Sequence, residues 1–188
     1  MGERVQGRFW KAGALVVIAL LIAIGWTQRH HFTPVEVGGM APDYSASTLT
    51  GDVVSLSDYR GKVVVLNVWA TWCRPCVTEM PALERAYQAL KSEGLEVVAV
   101  SVDAEDGGTD GMGNPGGDVA AFMAELGLTF TVLRDPARKV ERTFAIIGLP
   151  TTIIIDRSGR IARRVLGAAA WDNEQHLGEL RQLLAKKT

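Results

Sequence analysis

Both cysteines of this 188-residue chain stand in one five-residue stretch, Trp72-Cys73-Arg74-Pro75-Cys76. That spacing suits a chain turning from a strand into a helix. The strand-like run Val63–Trp69 feeds a short turn, and helical periodicity sets in just beyond Cys73. Cys73 then falls at a helix N-terminus and Cys76 one turn further in, where the two sulfurs can meet. Unpaired N–H groups and the positive end of the helix dipole stabilise a thiolate at such a position, lowering a cysteine pKa from about 8.5 to roughly 3.5–7.5. Cys73 is therefore the expected attacking thiol. Cys76, deeper and nearer the apolar face, is expected to resolve the mixed disulfide. Pro75 fits a first helical turn, where its fixed φ and missing N–H cost little.

Other uses of the pair are weaker. A disulfide closing so small a loop removes little entropy from the unfolded chain, so a purely structural staple gains little here. A zinc site needs two more ligands, yet there is no second cysteine pair and the histidines are His30, His31 and His176 alone.

The stretch from Asn67 through Trp69-Ala70-Thr71-Trp72-Cys73-Arg74-Pro75-Cys76-Val77-Thr78-Glu79-Met80 to Pro81 resembles the TlpA/ResA-like branch of the thioredoxin superfamily. The likeness runs from Ala41-Pro42-Asp43-Tyr44 through Leu56–Lys62 to the last helix. It implies a thioredoxin-like α/β fold: a central mixed sheet with helices on both faces and an N-terminal β-hairpin extension. It also implies a thiol-disulfide oxidoreductase working outside the cytoplasm, usually as a reductant of protein disulfides, with Cys73–Cys76 as its redox-active disulfide and no cofactor.

A second mark of the same family is Gly148-Leu149-Pro150-Thr151-Thr152. The resemblance implies a cis Leu149–Pro150 bond facing the cysteines, with the Leu149 backbone pairing to an extended substrate peptide. Trp72, Arg74, Pro75, Leu149 and Pro150 are thus the expected substrate-binding residues. Where thioredoxin has a buried aspartate this chain has Asn67, which cannot take a proton. Glu79, three residues after Cys76 and at a position where the family commonly has glutamate, is the third candidate catalytic residue. It is expected to tune the thiols and contact substrate, the alternative being a solvated helix surface. A cation at Arg74 favours the thiolate and makes the disulfide somewhat more oxidising, unless the side chain is simply solvated. Trp72 is expected beside the sulfurs and Trp69 in the core.

The N-terminus reads as an address. Arg4, Arg8 and Lys11 precede the apolar stretch Ala12–Trp26. The expected organisation is a cytoplasmic segment 1–11, a transmembrane signal anchor 12–27, a linker 28–41 and a thioredoxin-like domain 42–188. The apolar stretch is short against the roughly 17–25 residues of a span. Phe9-Trp10 and Trp26, about 24 Å apart on a helix, nevertheless suit two membrane interfaces. A cleavable signal peptide ending near Ala23-Ile24-Gly25 is the alternative, giving a secreted domain. Positive charge ahead of the stretch keeps the N-terminus inside and the cysteines outside, at the periplasmic or outer face of the cell membrane.

A reductant in an oxidising compartment needs electrons brought across the membrane, so a membrane thiol shuttle is the implied partner. A tether raises its effective concentration. Candidate substrates by resemblance are apocytochrome c cysteines in cytochrome c-type biogenesis, copper-site cysteines of an oxidase, or another thioredoxin-like protein. The domain is expected to be a monomer. A formal net charge of −1 without a basic patch gives no basis for nucleic-acid binding.

Two competitors come from other classes. A peroxiredoxin-like thiol peroxidase would need Pro-x-x-x-Thr/Ser-x-x-Cys, which is missing around Cys73. A tethered copper(I)-binding module would use the same thiols without turnover.

The remaining pattern predicts a hairpin at Val53–Leu56, a helix from Arg74 to Ser92 kinked at Pro81, and a buried strand Leu95–Val102. Beyond these it predicts helices 119–126, 136–144 and 172–185 and strands near 130–133, 151–155 and 160–166. Residues 105–118, acidic and glycine-rich, are longer than the family usually has and read as a mobile surface loop near the substrate groove. Asp103, Asp110 and Asp118 raise calcium as the alternative, although EF-hand spacing is missing.

Overall fold

The seven residues Val63–Trp69, apolar at six of the seven positions, are stable as a strand only if covered on both faces. In the computed structural model of the chain, which describes residues 17–20, 23 and 35–186, they form β3, and all seven are buried. The elements in chain order are β1 (Ser45–Thr48), β2 (Val53–Ser55), β3, α1 (Arg74–Leu90), β4 (Leu95–Ser101) and α2 (Val119–Glu125). They continue with β5 (Thr131–Arg134), α3 (Lys139–Thr143), β6 (Thr151–Ile155), β7 (Ile161–Leu166) and α4 (Glu174–Ala185). One mixed sheet runs in the order β2-β1-β5-β4-β3-β6-β7. The β1–β2 hairpin extends its edge by antiparallel pairing with β5.

Strand direction decides where function can sit. β3, β4 and β5 are parallel, β6 is antiparallel to β3, and β7 is antiparallel to β6. The C-terminal ends of β3, β4, β5 and β7 and the start of β6 therefore share one end of the sheet. Cys73, the 102–118 segment, Arg138, Pro150 and Ala169-Trp171 all emerge there. At the other end the Arg157 guanidinium donates to the carbonyls of Gly61 (2.8 Å), Glu93 (3.0 Å) and Leu184 (3.2 Å), tying three segments together.

The β3-α1-β4 and β4-α2-β5 units step the same way across the sheet, and right-handed crossovers then place α1 and α2 on one face. Aromatic packing agrees. Trp69 lies against Phe122 of α2 with ring centroids 5.1 Å apart, and Tyr87 of α1 meets Phe130 edge-on at 6.3 Å. α1 buries Met80, Leu83, Ala86 and Leu90. Val77 and Tyr87 are half-buried. The helix continues through Pro81 and closes in a tight turn at Gly94, whose φ of 101° is the left-handed conformation glycine adopts at little cost.

Two boundaries differ from expectation. α3 covers five residues rather than 136–144, because Arg138 takes a left-handed φ of 53° and the Asp135 carboxylate accepts the Val140 N–H at 2.7 Å. The linker expected over 28–41 ends earlier, because the chain is part of the domain from Val35. Gly38 N–H donates to the Ile161 carbonyl at 2.7 Å, and Ala41 N–H to that of Gly159 at 2.9 Å. Residues 1–34 form a separate unit. Its described residues, 17–20 and 23, are helical, and the anchor and signal-peptide expectations lie largely outside them. Among the described residues no helix is long and apolar enough to cross a membrane.

Leu66 has no exposed surface, so Leu66→Ala is expected to lower unfolding free energy by about 2–5 kcal/mol in urea titrations. Val53→Ala, at a side chain 71% exposed on the sheet edge, is expected to stay within about 0.5 kcal/mol of wild type.

Candidate active site

β3 ends at Trp69, the chain turns, and α1 begins at Arg74 with Cys73 as its N-cap. The N–H of Cys76 points at Cys73 Sγ across 3.4 Å, the contact expected to stabilise a thiolate at that sulfur. The two cysteines are joined, with Cα atoms 5.2 Å apart. Cys76 is wholly enclosed, whereas Cys73 keeps 6% of its surface and lines an open groove. Attack from outside therefore reaches Cys73 first. Trp72, Arg74, Pro75 and Leu149 line the same groove.

The Leu149–Pro150 bond is cis. Thr151 pairs with Val68 across β3 and β6, a register that brings the residues just before β6 level with the turn carrying the cysteines. Arg74 and Pro75 are exposed, Trp72 and Leu149 are half-buried, and Pro150 is buried. Trp69 is core, as expected.

Glu79 is the floor of the site. It lies one helical turn beyond Cys76 and retains only 2% of its surface, which removes both the solvated alternative and the expected direct contact with substrate. Its Oε1 accepts the Asn67 amide at 2.8 Å. Its Oε2 accepts the Ala169 N–H at 3.0 Å and the Trp171 indole N–H at 3.1 Å. Asn67 also donates to Thr152 Oγ1 at 2.9 Å, its direct partner across β3 and β6. Burial raises the Glu79 pKa above the ordinary carboxyl value, and the three hydrogen bonds oppose that rise without cancelling it. Asn67, unable to ionise, thus positions an ionisable carboxyl group one helical turn beyond Cys76.

A second buried carboxylate, Asp103, was considered in the sequence only as a possible calcium ligand. Asp103, without exposed surface, accepts the Thr71 N–H at 3.0 Å, the Thr71 hydroxyl at 2.5 Å and the Ser101 hydroxyl at 2.8 Å. It fixes the turn two residues ahead of Cys73. The available signal was an acidic residue closing an apolar strand, where solvation would have been the ordinary reading.

The calcium alternative fails on geometry. Asp103 is bound to Thr71 and Ser101, Asp110 to Arg138 and its own turn, and Asp118 caps α2 through the Ala121 N–H at 2.9 Å. Among the described residues no acidic or histidine cluster could hold a metal ion. The 105–117 loop is folded as a hairpin with a β-bridge between Thr109 and Pro115.

Residues 37–164 match the AhpC/TSA family. The chain is 37% identical over 171 residues to the thiol-disulfide oxidoreductase ResA of Geobacillus kaustophilus, covering 88% of this chain and 92% of the relative. It superposes with a TM-score of 0.69 and 34% identity on a Chlorobium tepidum crystal structure assigned as a thiol:disulfide interchange protein DsbE, covering 80% of this chain and 99% of that one. A Chlorobium tepidum TLS structure described as a thiol:disulfide interchange protein, thioredoxin family protein, superposes at 0.62 with 24% identity over 80% of this chain and 99% of that one, a likeness of fold.

Because the Glu79 pKa is raised in the folded chain, its contribution to stability is full below the unfolded value near 4.5 and is lost as pH rises through the folded value. The oxidised wild-type chain should lose unfolding free energy across that window, whereas Glu79→Gln should lack this component of the slope. Denaturant titrations from pH 4 to 9 check it, and parallel curves would contradict it.

Proposed function

Because the chain belongs to the AhpC/TSA family and is a ResA-like thiol-disulfide oxidoreductase of the thioredoxin superfamily, we propose that it reduces protein disulfides outside the cytoplasm, held to the membrane by its N-terminal segment. The observation that carries the reading is the asymmetry of the two sulfurs. Cys73 faces the groove at a helix N-terminus, and Cys76 is enclosed above a buried, proton-accepting carboxyl group.

The reaction follows from that asymmetry. In the reduced chain the Cys73 thiolate attacks one sulfur of a substrate disulfide, forming a mixed disulfide and releasing the other substrate sulfur as a thiolate. Cys76 then loses its proton toward Glu79 and attacks Cys73 Sγ, expelling the second substrate thiolate. Two electrons pass to the substrate, and the chain is left with the Cys73–Cys76 bond seen here. Trp72, Arg74, Pro75, Leu149 and Pro150 hold the substrate strand beside Cys73.

Regeneration requires a membrane dithiol shuttle, and the apolar Ala12–Trp26 segment behind Arg4, Arg8 and Lys11 supports a tether that keeps the domain near it. Cytochrome c maturation and oxidase copper-site assembly are the two settings in which an extracytoplasmic reductant of this kind would act. A peroxidase is disfavoured, since neither Cys73 nor Cys76 follows the Pro-x-x-x-Thr/Ser-x-x pattern.

Cys76→Ala should accumulate a covalent mixed disulfide with a protein substrate and fail to release it, whereas Cys73→Ala should form none. Non-reducing gels followed by mass spectrometry read both. A midpoint potential near about −270 mV supports a reductant, and one near about −120 mV would reverse the proposed direction.

A further inference from the structure

The glycine-rich hairpin 105–117 leaves β4 at the end of the sheet where the cysteines lie, and nothing in the thiol chemistry above uses it. Three sets of contacts fix its position. At its tip, Asp110 Oδ1 accepts the N–H groups of Met112 (2.9 Å) and Asn114 (2.8 Å), and Oδ2 accepts the Asn114 side-chain amide at 2.9 Å. Across the groove, Arg138 donates to Asp110 Oδ2 at 2.6 Å while gripping both carboxylate oxygens of Glu141 at 2.6 and 2.8 Å. A two-toothed guanidinium–carboxylate pair of this kind is geometrically demanding, and the Asp110 side chain beneath it is 3% exposed.

The third contact reaches the active-site turn itself. A β-carbon on Gly117 would stand 2.1 Å from Thr71 Oγ1, and one on Gly116 would stand 2.1 Å from the Glu105 carbonyl. Only glycine allows so close an approach. The base of the hairpin therefore rests on Thr71, the residue Asp103 clamps two positions before Cys73.

The outcome is a groove wall with a defined chemistry. Met112, 68% exposed, faces the same groove as Cys73 and Trp72, and Ile147, 89% exposed, stands on that groove beside Leu149. Exposed apolar side chains around a reactive atom are costly in a free protein and useful only when covered. The charged groups of the groove interior, Arg138 and Glu141, are spent on each other and on Asp110, which leaves them little to offer a ligand. Arg74 is the exposed exception at the mouth.

Resting on the proposed disulfide-reductase reading, we propose that the 105–117 hairpin is a substrate-selecting wall: Met112 and Ile147 cover an apolar side chain next to the target half-cystine of an extended polypeptide. The occupant is the substrate chain because the groove contains the sulfur it must reach. Acidic flanking residues, which Arg74 alone would favour, are selected against by the apolar walls.

The test uses the reduced full-length chain and two synthetic peptides, each carrying one cysteine as a glutathione mixed disulfide. Leucine flanks the cysteine in one and glutamate in the other. Stopped-flow tryptophan fluorescence gives the second-order rate constant for each. Wild type should favour the leucyl peptide by at least tenfold. Met112→Glu should cut that ratio at least tenfold, and Asp110→Asn, which loosens the hairpin from Arg138, should cut it by a smaller factor. Val53→Glu, on the far sheet edge, should leave the ratio unchanged. Equal rates for the two peptides, a glutamyl preference, or a ratio untouched by Met112→Glu would overturn the wall while leaving the reductase standing. A wild-type chain that reduces neither peptide nor any small disulfide would instead bring down the reading on which it rests.

Discussion

The buried Glu79 carboxyl group joins three parts of the chain at one polar centre. It accepts hydrogen bonds from Asn67 on β3 and from Ala169 and Trp171 ahead of α4, while riding on α1 directly behind Cys76. A carboxylate at such depth is tolerated because donors meet it from several sides, and breaking that set would leave an uncompensated buried charge. The same depth raises its proton affinity. Structure and chemistry are therefore the same fact at this point: the group that ties helix to sheet is also the group that can exchange a proton behind the enclosed sulfur.

Around that floor the sheet topology does the assembling. Parallel β3, β4 and β5 and the antiparallel β6–β7 pair send five connections to one end of the sheet. Each connection brings one component: the cysteine turn, the Asp103 clamp with its hairpin, Arg138, the cis-proline segment, and the Ala169-Trp171 donors. Asp103 and Glu79 flank the cysteine turn in different ways. The first fixes its backbone through Thr71, and the second is the group proposed to take the Cys76 proton.

Much of this was legible in the residues. The position of Cys73 at a helix N-terminus, the buried β3 and β4 strands, the edge hairpin and the cis Leu149–Pro150 bond all follow from local patterns or from the family resemblance, and each lies where it was expected. What stayed hidden depends on partners distant in sequence. Glu79 was one turn from Cys76, but its burial is decided by donors 90 and 92 residues away. The hairpin 105–117 has the composition of a flexible linker, and its order comes from Arg138, 28 residues beyond Asp110. Arg138 also shortened α3, because a left-handed residue cannot continue a helix and nothing in its side chain announces that conformation.

The measurement closest to the centre of this account is the pH dependence of Cys73 alkylation in the reduced full-length chain, followed by iodoacetamide labelling and peptide mass analysis. A helix N-terminus facing the groove predicts a midpoint well below the free-cysteine value of about 8.5. A midpoint at or above that value, or labelling of Cys76 ahead of Cys73, would contradict the assignment of Cys73 as the attacking thiol.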